Sequence, residues 1–164
     1  MLFTLEKQEK IINALIEVHP YEEVAYDIIS LENASVEIGS GMIGRLPAPM
    51  DEVSFLKKIK EEFSLKMIRH TALRNKNVET VALCGGAGSF LLKNAISCKS
   101  DFYISSDFKY HEFFDAEGKL VIADIGHFES EQFTGEIFYE IIKKNFPIFA
   151  IRFSDIKTNP VNYF

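Results

Sequence analysis

From Val78 onward, short apolar runs alternate with helix-compatible stretches, and this rhythm constrains the fold more than any other feature. "VETVALC" leads into "GGAGSFLLKNAI", "DFYISS" into "KYHEFFDAE", and "LVIADIG" into "ESEQFTGEIFYEIIKKNF". "PIFAIRF" and a tail "TNPVNYF" close the chain. Each short run could be buried on both faces, so the pattern predicts a mainly parallel α/β layer with helices between its strands.

The first 76 residues have a different rhythm. "LFTLE" is short and β-compatible, and "EKQEKIINALIEVH" places Ile11, Ile12, Leu15 and Ile16 on one helical stripe. "VAYDIISLEN" alternates in part. "IGSGMIGRLPAPM" reads as a loop or a short irregular strand around Met42 and Ile43. Asp51 is a candidate N-cap for "EVSFLKKIKEEF", with a core stripe of Leu56, Ile59 and Phe63, and "KMIRHTALR" closes as a strand. That order, βαββαβ, predicts a ferredoxin-like α+β unit with both helices on one face of an antiparallel sheet. The polar turn Asn75-Lys76-Asn77 is the candidate boundary, giving domains 1–76 and 77–164.

Composition narrows the function classes. With 164 residues, 47% hydrophobic and 26% charged, the chain reads as an ordinary globular protein of one or two domains. Fifteen phenylalanines and no tryptophan point to aromatic-filled cores. A net charge of −6 without a basic stripe argues against DNA as a partner, while leaving room for an anion at one local site. Cys84 and Cys98 form neither a disulfide framework nor a CxxC pair, so both are expected as reduced thiols, Cys84 buried at a strand end. No stretch is apolar enough to span a bilayer and no signal-peptide pattern opens the chain, which makes the cytoplasm the expected address.

The candidate site residues all follow predicted strands, where open α/β sheets place ligands. Gly85, Gly86, Gly88 and Ser89 follow the first of these strands and open a helix; they could cradle an anion or simply make a tight turn needing positive φ. The loop matches neither a Walker A motif nor GxGxxG. Asp107 could cap the next helix or orient a metal ligand or substrate, and His111 lies one helical turn beyond it. His127 and Glu131 are spaced i, i+4, so a helix starting near Gly126 would project both from one face. Imidazole plus carboxylate suits zinc, manganese or iron rather than calcium, although the same spacing is common on solvated helices. "HPYEE", His19 to Glu23, marks a helix-to-strand corner that could also serve a homomeric contact.

"HPYEEVAYDI", "GMIGRLPAPM", "VALCGGAGS", "SSDFKYHE" and "ADIGHFESE" occur in the order seen in the NIF-three-like family of dinuclear-metal proteins, and over nearly the whole chain the sequence resembles that family. The resemblance implies GTP cyclohydrolase 1 type 2 homologs, whose α/β domain is split by an inserted module resembling CutA and PII proteins. By that likeness, residues 1–76 correspond to the CutA/PII-like insert and 77–164 to the C-terminal portion of the α/β domain. His127 and Glu131 match the family's C-terminal metal ligands, and Asp107 and His111 match a segment lining the same cleft. The family's histidine pair and aspartate have no match, since the four histidines are His19, His70, His111 and His127. The resemblance thus implies a partial metal site, inactive alone, from a metal-dependent hydrolase acting on a nucleotide or phosphate-containing substrate. It also implies a homo-oligomer, trimeric or hexameric, and hence a competing role as an assembly module.

Overall fold

The computed structural model describes residues 1–31 and 39–164. Cα packing divides the chain into two compact units, Met1–Val36 and Glu37–Phe164. The first carries a 3-10 turn, Leu5–Lys7, and helix α1, Gln8–Val18, which ends at His19 where the chain turns extended before Pro20. The His19 ring stands edge-on to Tyr21 and its Nδ1 accepts from the Tyr21 N–H at 3.2 Å, so this corner is locally closed.

The second unit is built on one five-stranded sheet. Its strands are β1, Met42–Asp51; β2, Arg69–His70; β3, Asn77–Ala87; β4, Phe102–Ser106; and β5, Val121–Asp124. The order is β1-β3-β4-β5-β2. β3, β4 and β5 are parallel, as the apolar runs predict, while β1 and β2 pair antiparallel at the two edges. The helices are α2, Glu52–Glu62; α3, Leu92–Ser97; α4, His127–Glu131; and α5, Thr134–Asn145.

Alternation along the central strands supplies two cores. Phe102 and Ile104 of β4 with Val121 and Ala123 of β5 face α2, whose Phe55 and Ile59 are buried against them. Tyr103 and Ile122 point to the opposite face, packed with Leu92 and Ala95 of α3 and with Phe108. Strands covered on both sides are mainly apolar, which is why these runs lack the polar alternation of a one-sided sheet, and their polar residues, Ser105, Ser106 and Asp124, come at the carboxyl ends. The expected α2 stripe holds in part: Ile59 is buried, Leu56 and Phe63 are partly buried, and Phe55 takes the central place. Asp51 caps α2, its carboxylate accepting from the Ser54 N–H at 2.9 Å.

The first half departs from the ferredoxin-like expectation. "LFTLE" contributes the 3-10 turn rather than a strand, and no strand occurs between Tyr21 and Leu31 among the described residues. The end of the strand expected at "VAYDIISLEN" and Ile38 of the next segment lie outside the described residues. Met42–Asp51, read as a loop or short strand, is instead ten residues of edge strand paired antiparallel with β3. Pro47 and Pro49 explain why it looked irregular: they lack N–H donors, and here the register shifts between Arg45 and Met50. An edge strand tolerates both prolines and the bulge because only one side has to pair.

Candidate functional site

The carboxyl ends of the three parallel strands converge on α4. β3 ends in Gly86-Ala87, β4 runs into Asp107, and β5 runs through Ile125-Gly126 into His127. Two of these exits use left-handed backbone besides Gly86: Gly126 at φ +92° and, at a residue with a side chain, Asp107 at φ +59°. Non-glycine residues rarely adopt that region, and aspartate is among those that tolerate it. The Asp124 carboxylate accepts from the Gly126 N–H at 3.1 Å, and the Gly126 carbonyl accepts from the Ser130 N–H at 3.1 Å, starting the helix.

That start puts His127 and Glu131 on one side of α4. His127 Nε2 lies 3.4 Å from Glu131 Oε2, and His127 Nδ1 lies 2.6 Å from Asp107 Oδ2. The Asp107 carboxylate can only accept, so the Nδ1 proton points to it and the neutral ring presents a lone pair at Nε2. A lone pair facing a carboxylate calls for a cation between them, either a proton or a metal ion. The hydrogen bond to Asp107 correspondingly raises the His127 pKa above its ordinary value; partial burial opposes the shift, and the Asp107 and Glu131 charges add to it. All three side chains are about half exposed.

The pair borders a cleft of about 720 Å³ that also takes in Arg69, Asp124, Glu129, Asn159 and Tyr163. Asp124 is buried; it pairs with the Arg69 guanidinium and accepts from the Phe108 N–H at 3.2 Å. Arg69 also donates to the Phe108 carbonyl at 3.0 Å and lies over the Phe113 ring. Glu129 Oε1 accepts from the Tyr163 hydroxyl at 3.0 Å and from Asn159 Nδ2 at 3.3 Å, which ties the C-terminal tail to the cleft wall. Tyr163 has its pKa raised, first by burial and then by Glu129. Asp107, Asp124, Glu129 and Glu131 outnumber the cationic groups lining the cleft, so its field favours a positive ligand.

Not every expected site residue joins this arrangement. His111 is exposed on the 3-10 segment Tyr110–Ala116 and does not line the cleft. Gly85 and Gly86 belong to β3, the Gly86 N–H donates to Ser130 Oγ at 2.8 Å, and the Ser89 hydroxyl donates to Glu112 at 3.1 Å. The Gly86 N–H and the Ser89 hydroxyl are thus both committed within the chain. Gly88 packs on the Ser105 and Tyr103 side chains, with the Tyr103 hydroxyl donating to its carbonyl at 2.6 Å. Cys84 is buried within β3, three residues before its last, rather than at the strand end, and Cys98 is exposed, both as free thiols.

Sequence reasoning did not single out Arg69, Asp124, Asn159 or Tyr163 as site residues. An aspartate ending an otherwise apolar strand in "VIADIG" was the available signal for Asp124; the others are joined to the site only by folding. Among the described residues no group of three or more histidine, cysteine, aspartate and glutamate side chains is arranged to hold a metal ion. His127 and Glu131 fit such an ion as two donors, with Asp107 behind the imidazole. No helix among the described residues is long and apolar enough to cross a membrane.

The family model of Duf34/NIF3 (NGG1p interacting factor 3) matches residues 3–160. The chain belongs to that family. It is 31% identical over 158 residues to a GTP cyclohydrolase 1 type 2 homolog of Staphylococcus epidermidis, covering 92% of this chain and 42% of the relative. To the Bacillus subtilis protein of the same name it is 33% identical over 128 residues, covering 77% of this chain and 34% of that protein. Among solved structures, a Bacillus cereus protein related to NIF3 superposes with a TM-score of 0.76 at 30% identity, over 99% of this chain and 46% of that one. The Staphylococcus aureus protein SA1388 shares the fold with a TM-score of 0.78 at 20% identity, over 100% of this chain and 54% of that one. The chain thus spans less than half the length of these two curated relatives.

Proposed function

We propose that this chain supplies two ligands, His127 and Glu131, to a divalent-metal centre of a hydrolase-type NIF3 protein, and that Asp107 sets the imidazole for that task. The observation that carries the reading is the His127 geometry: Nδ1 held by a carboxylate at 2.6 Å while Nε2 faces another at 3.4 Å. Metal-ligating histidines characteristically hand their second ring N–H to a carboxylate. Zinc, manganese and iron suit this donor pair. A closed site needs more donors than two, so this pair is part of a centre that other ligands complete.

A bound divalent ion would supply Lewis acidity to a carbonyl or phosphoryl oxygen and would lower the pKa of a water. The relatives' name points to a purine nucleotide as substrate, and a phosphoester would suit the same chemistry. This chain's own contribution is to fix the ligand pair at the carboxyl ends of β3, β4 and β5 and to wall the cleft with Arg69, Glu129 and Tyr163. Alone it is expected to lack turnover.

Elemental analysis and calorimetric titration with zinc and manganese test the reading. The wild-type chain is expected to hold about one ion, with the affinity lost in His127→Ala and in Glu131→Ala. Retention of the same metal content in both variants would refute it. Homo-oligomerisation, as a trimer or hexamer, is a compatible second role, supported by the open edge of β1, where Met42 and Ile43 are exposed. Light scattering that finds a monomer at every concentration would remove it.

A further inference from the structure

We propose that Gly86 is a positioning residue of this site: the absence of a side chain there is what allows Glu131 to stand beside His127. The inference deepens the metal-ligand reading and rests on it for its functional meaning, but its geometry is independent. A Cβ built at Gly86 would lie 2.5 Å from Glu131 Oε1, 3.3 Å from Glu131 Cδ and 3.4 Å from His127 Cε1. The residue sits at φ +63°, where a side chain is disfavoured for a second, separate reason.

The backbone cannot retreat to make room. The Gly86 carbonyl accepts from two fully buried hydroxyls, Ser105 Oγ at 3.1 Å and Ser106 Oγ at 2.5 Å. Its N–H donates to Ser130 Oγ at 2.8 Å, and that hydroxyl donates in turn to the His127 carbonyl at 2.8 Å. The end of β3 is thus clamped on one side to β4 and on the other to α4. The Glu131 side chain is half exposed and flexible, so it is the group that must yield. A methyl group at 86 would swing the carboxylate away from Nε2 and into solvent while leaving the helix in place. Gly85 provides a matched control: its Cβ would meet Glu131 Cγ and the Ser130 carbonyl at 3.7 Å, an ordinary van der Waals contact.

The test compares wild type, Gly86→Ala, Gly86→Asn, Gly85→Ala and His127→Ala in the full 164-residue chain, using zinc and manganese titration and crystal structures of the metal-free proteins. Asparagine tolerates the left-handed region, so Gly86→Asn retains the clash while relieving backbone strain and keeps the question open to measurement should the alanine variant fold poorly. Both Gly86 variants are expected to lose metal affinity by about 10- to 100-fold, the range seen when groups supporting a ligand are disturbed. Gly85→Ala is expected to stay within about 3-fold of wild type. In the metal-free structures the Glu131 carboxylate should leave its place 3.4 Å from His127 Nε2 in both Gly86 variants only. Wild-type affinity in both Gly86 variants, with loss in His127→Ala, would overturn the role of Gly86 and leave the metal reading standing. No metal in the wild type would overturn the metal reading, and the metal-free structures would still decide Gly86: an unmoved carboxylate sinks the proposal, a displaced one supports it.

Discussion

Replacing Glu52 should strongly destabilise the second unit. Glu52 is 3% exposed at the start of α2 and serves as an acceptor for the turn before β3. The Arg74 N–H reaches its two oxygens at 3.1 and 2.8 Å, and the Asn75 N–H reaches Oε2 at 2.9 Å. Arg74 Nε lies 3.6 Å from Oε1 and is itself buried without a hydrogen bond, so the Glu52 charge is its compensation there. Glu52→Ala leaves two backbone donors without their acceptor, at about 1–3 kcal/mol each where water cannot enter. Losing one partner of a buried ion pair costs about 3–5 kcal/mol. That figure is an upper bound here, because Arg74 retains Asp101 at 2.8 Å and the Lys119 carbonyl at 2.5 Å. The expected destabilisation is roughly 3–4 kcal/mol for Glu52→Ala. Glu52→Gln keeps one acceptor oxygen and should cost about half as much. Urea denaturation followed by circular dichroism measures both, and the reasoning requires a changed midpoint at constant m-value. A Glu52→Ala midpoint indistinguishable from wild type would show that these groups are satisfied in some other way. Equal losses in the two variants would show that charge rather than acceptor geometry carries the effect.

Asp107→Ala should weaken zinc binding by about 10- to 100-fold without abolishing it, because it removes the acceptor behind His127 Nδ1 but no ligand; calorimetry on the two variants should rank it between wild type and His127→Ala. Tyr103, 1% exposed, has its hydroxyl pKa pushed up to about 12 by burial, so alkaline difference spectroscopy should show a late tyrosine step that Tyr103→Phe deletes. Its folded pKa lies above the ordinary value of 10.0, so the stabilisation it contributes is complete below that pH and is lost as pH rises toward 12. Burial would raise the Asp101 pKa, but the Thr80 and Glu79 N–H groups and Arg74 outweigh it and hold the carboxyl below its usual value. The stability it contributes is therefore present above the ordinary aspartate pKa and lost as pH falls through the folded one, and Asp101→Asn should flatten the acid limb of a stability–pH curve.

Local pattern was enough to identify several parts of this protein. The runs of β4 and β5 are legible because strands buried on both faces are mainly apolar, and β3 is legible from its apolar stretch Val81–Cys84. The Asp51 cap is legible because its partner, Ser54, is three residues away. His127 and Glu131 could be paired from their spacing because one helical turn brings i and i+4 together. Each of these relations is closed within a few residues. The strand β1 was only partly legible: its prolines and the glycines around Met42 read as a loop or a short irregular strand, and pairing with the edge of β3 makes it ten residues long.

The candidate site shows the same division more sharply. Its two donors are local, but the group that orients the imidazole, Asp107, is 20 residues from His127. Ser130 and the Gly86 that it clamps are 44 residues apart, and Arg69 and Asp124 are 55 apart. No periodicity or capping rule relates residues at such distances. They meet because parallel pairing of β3, β4 and β5 brings three strand ends into register, with β2 laid antiparallel beside β5. The sequence by itself determined the central strands, the longer helices and which two side chains lie one helical turn apart. Tertiary structure decided which carboxylate faces each ring nitrogen and which glycine leaves the space, since backbone pairing between distant segments sets those distances.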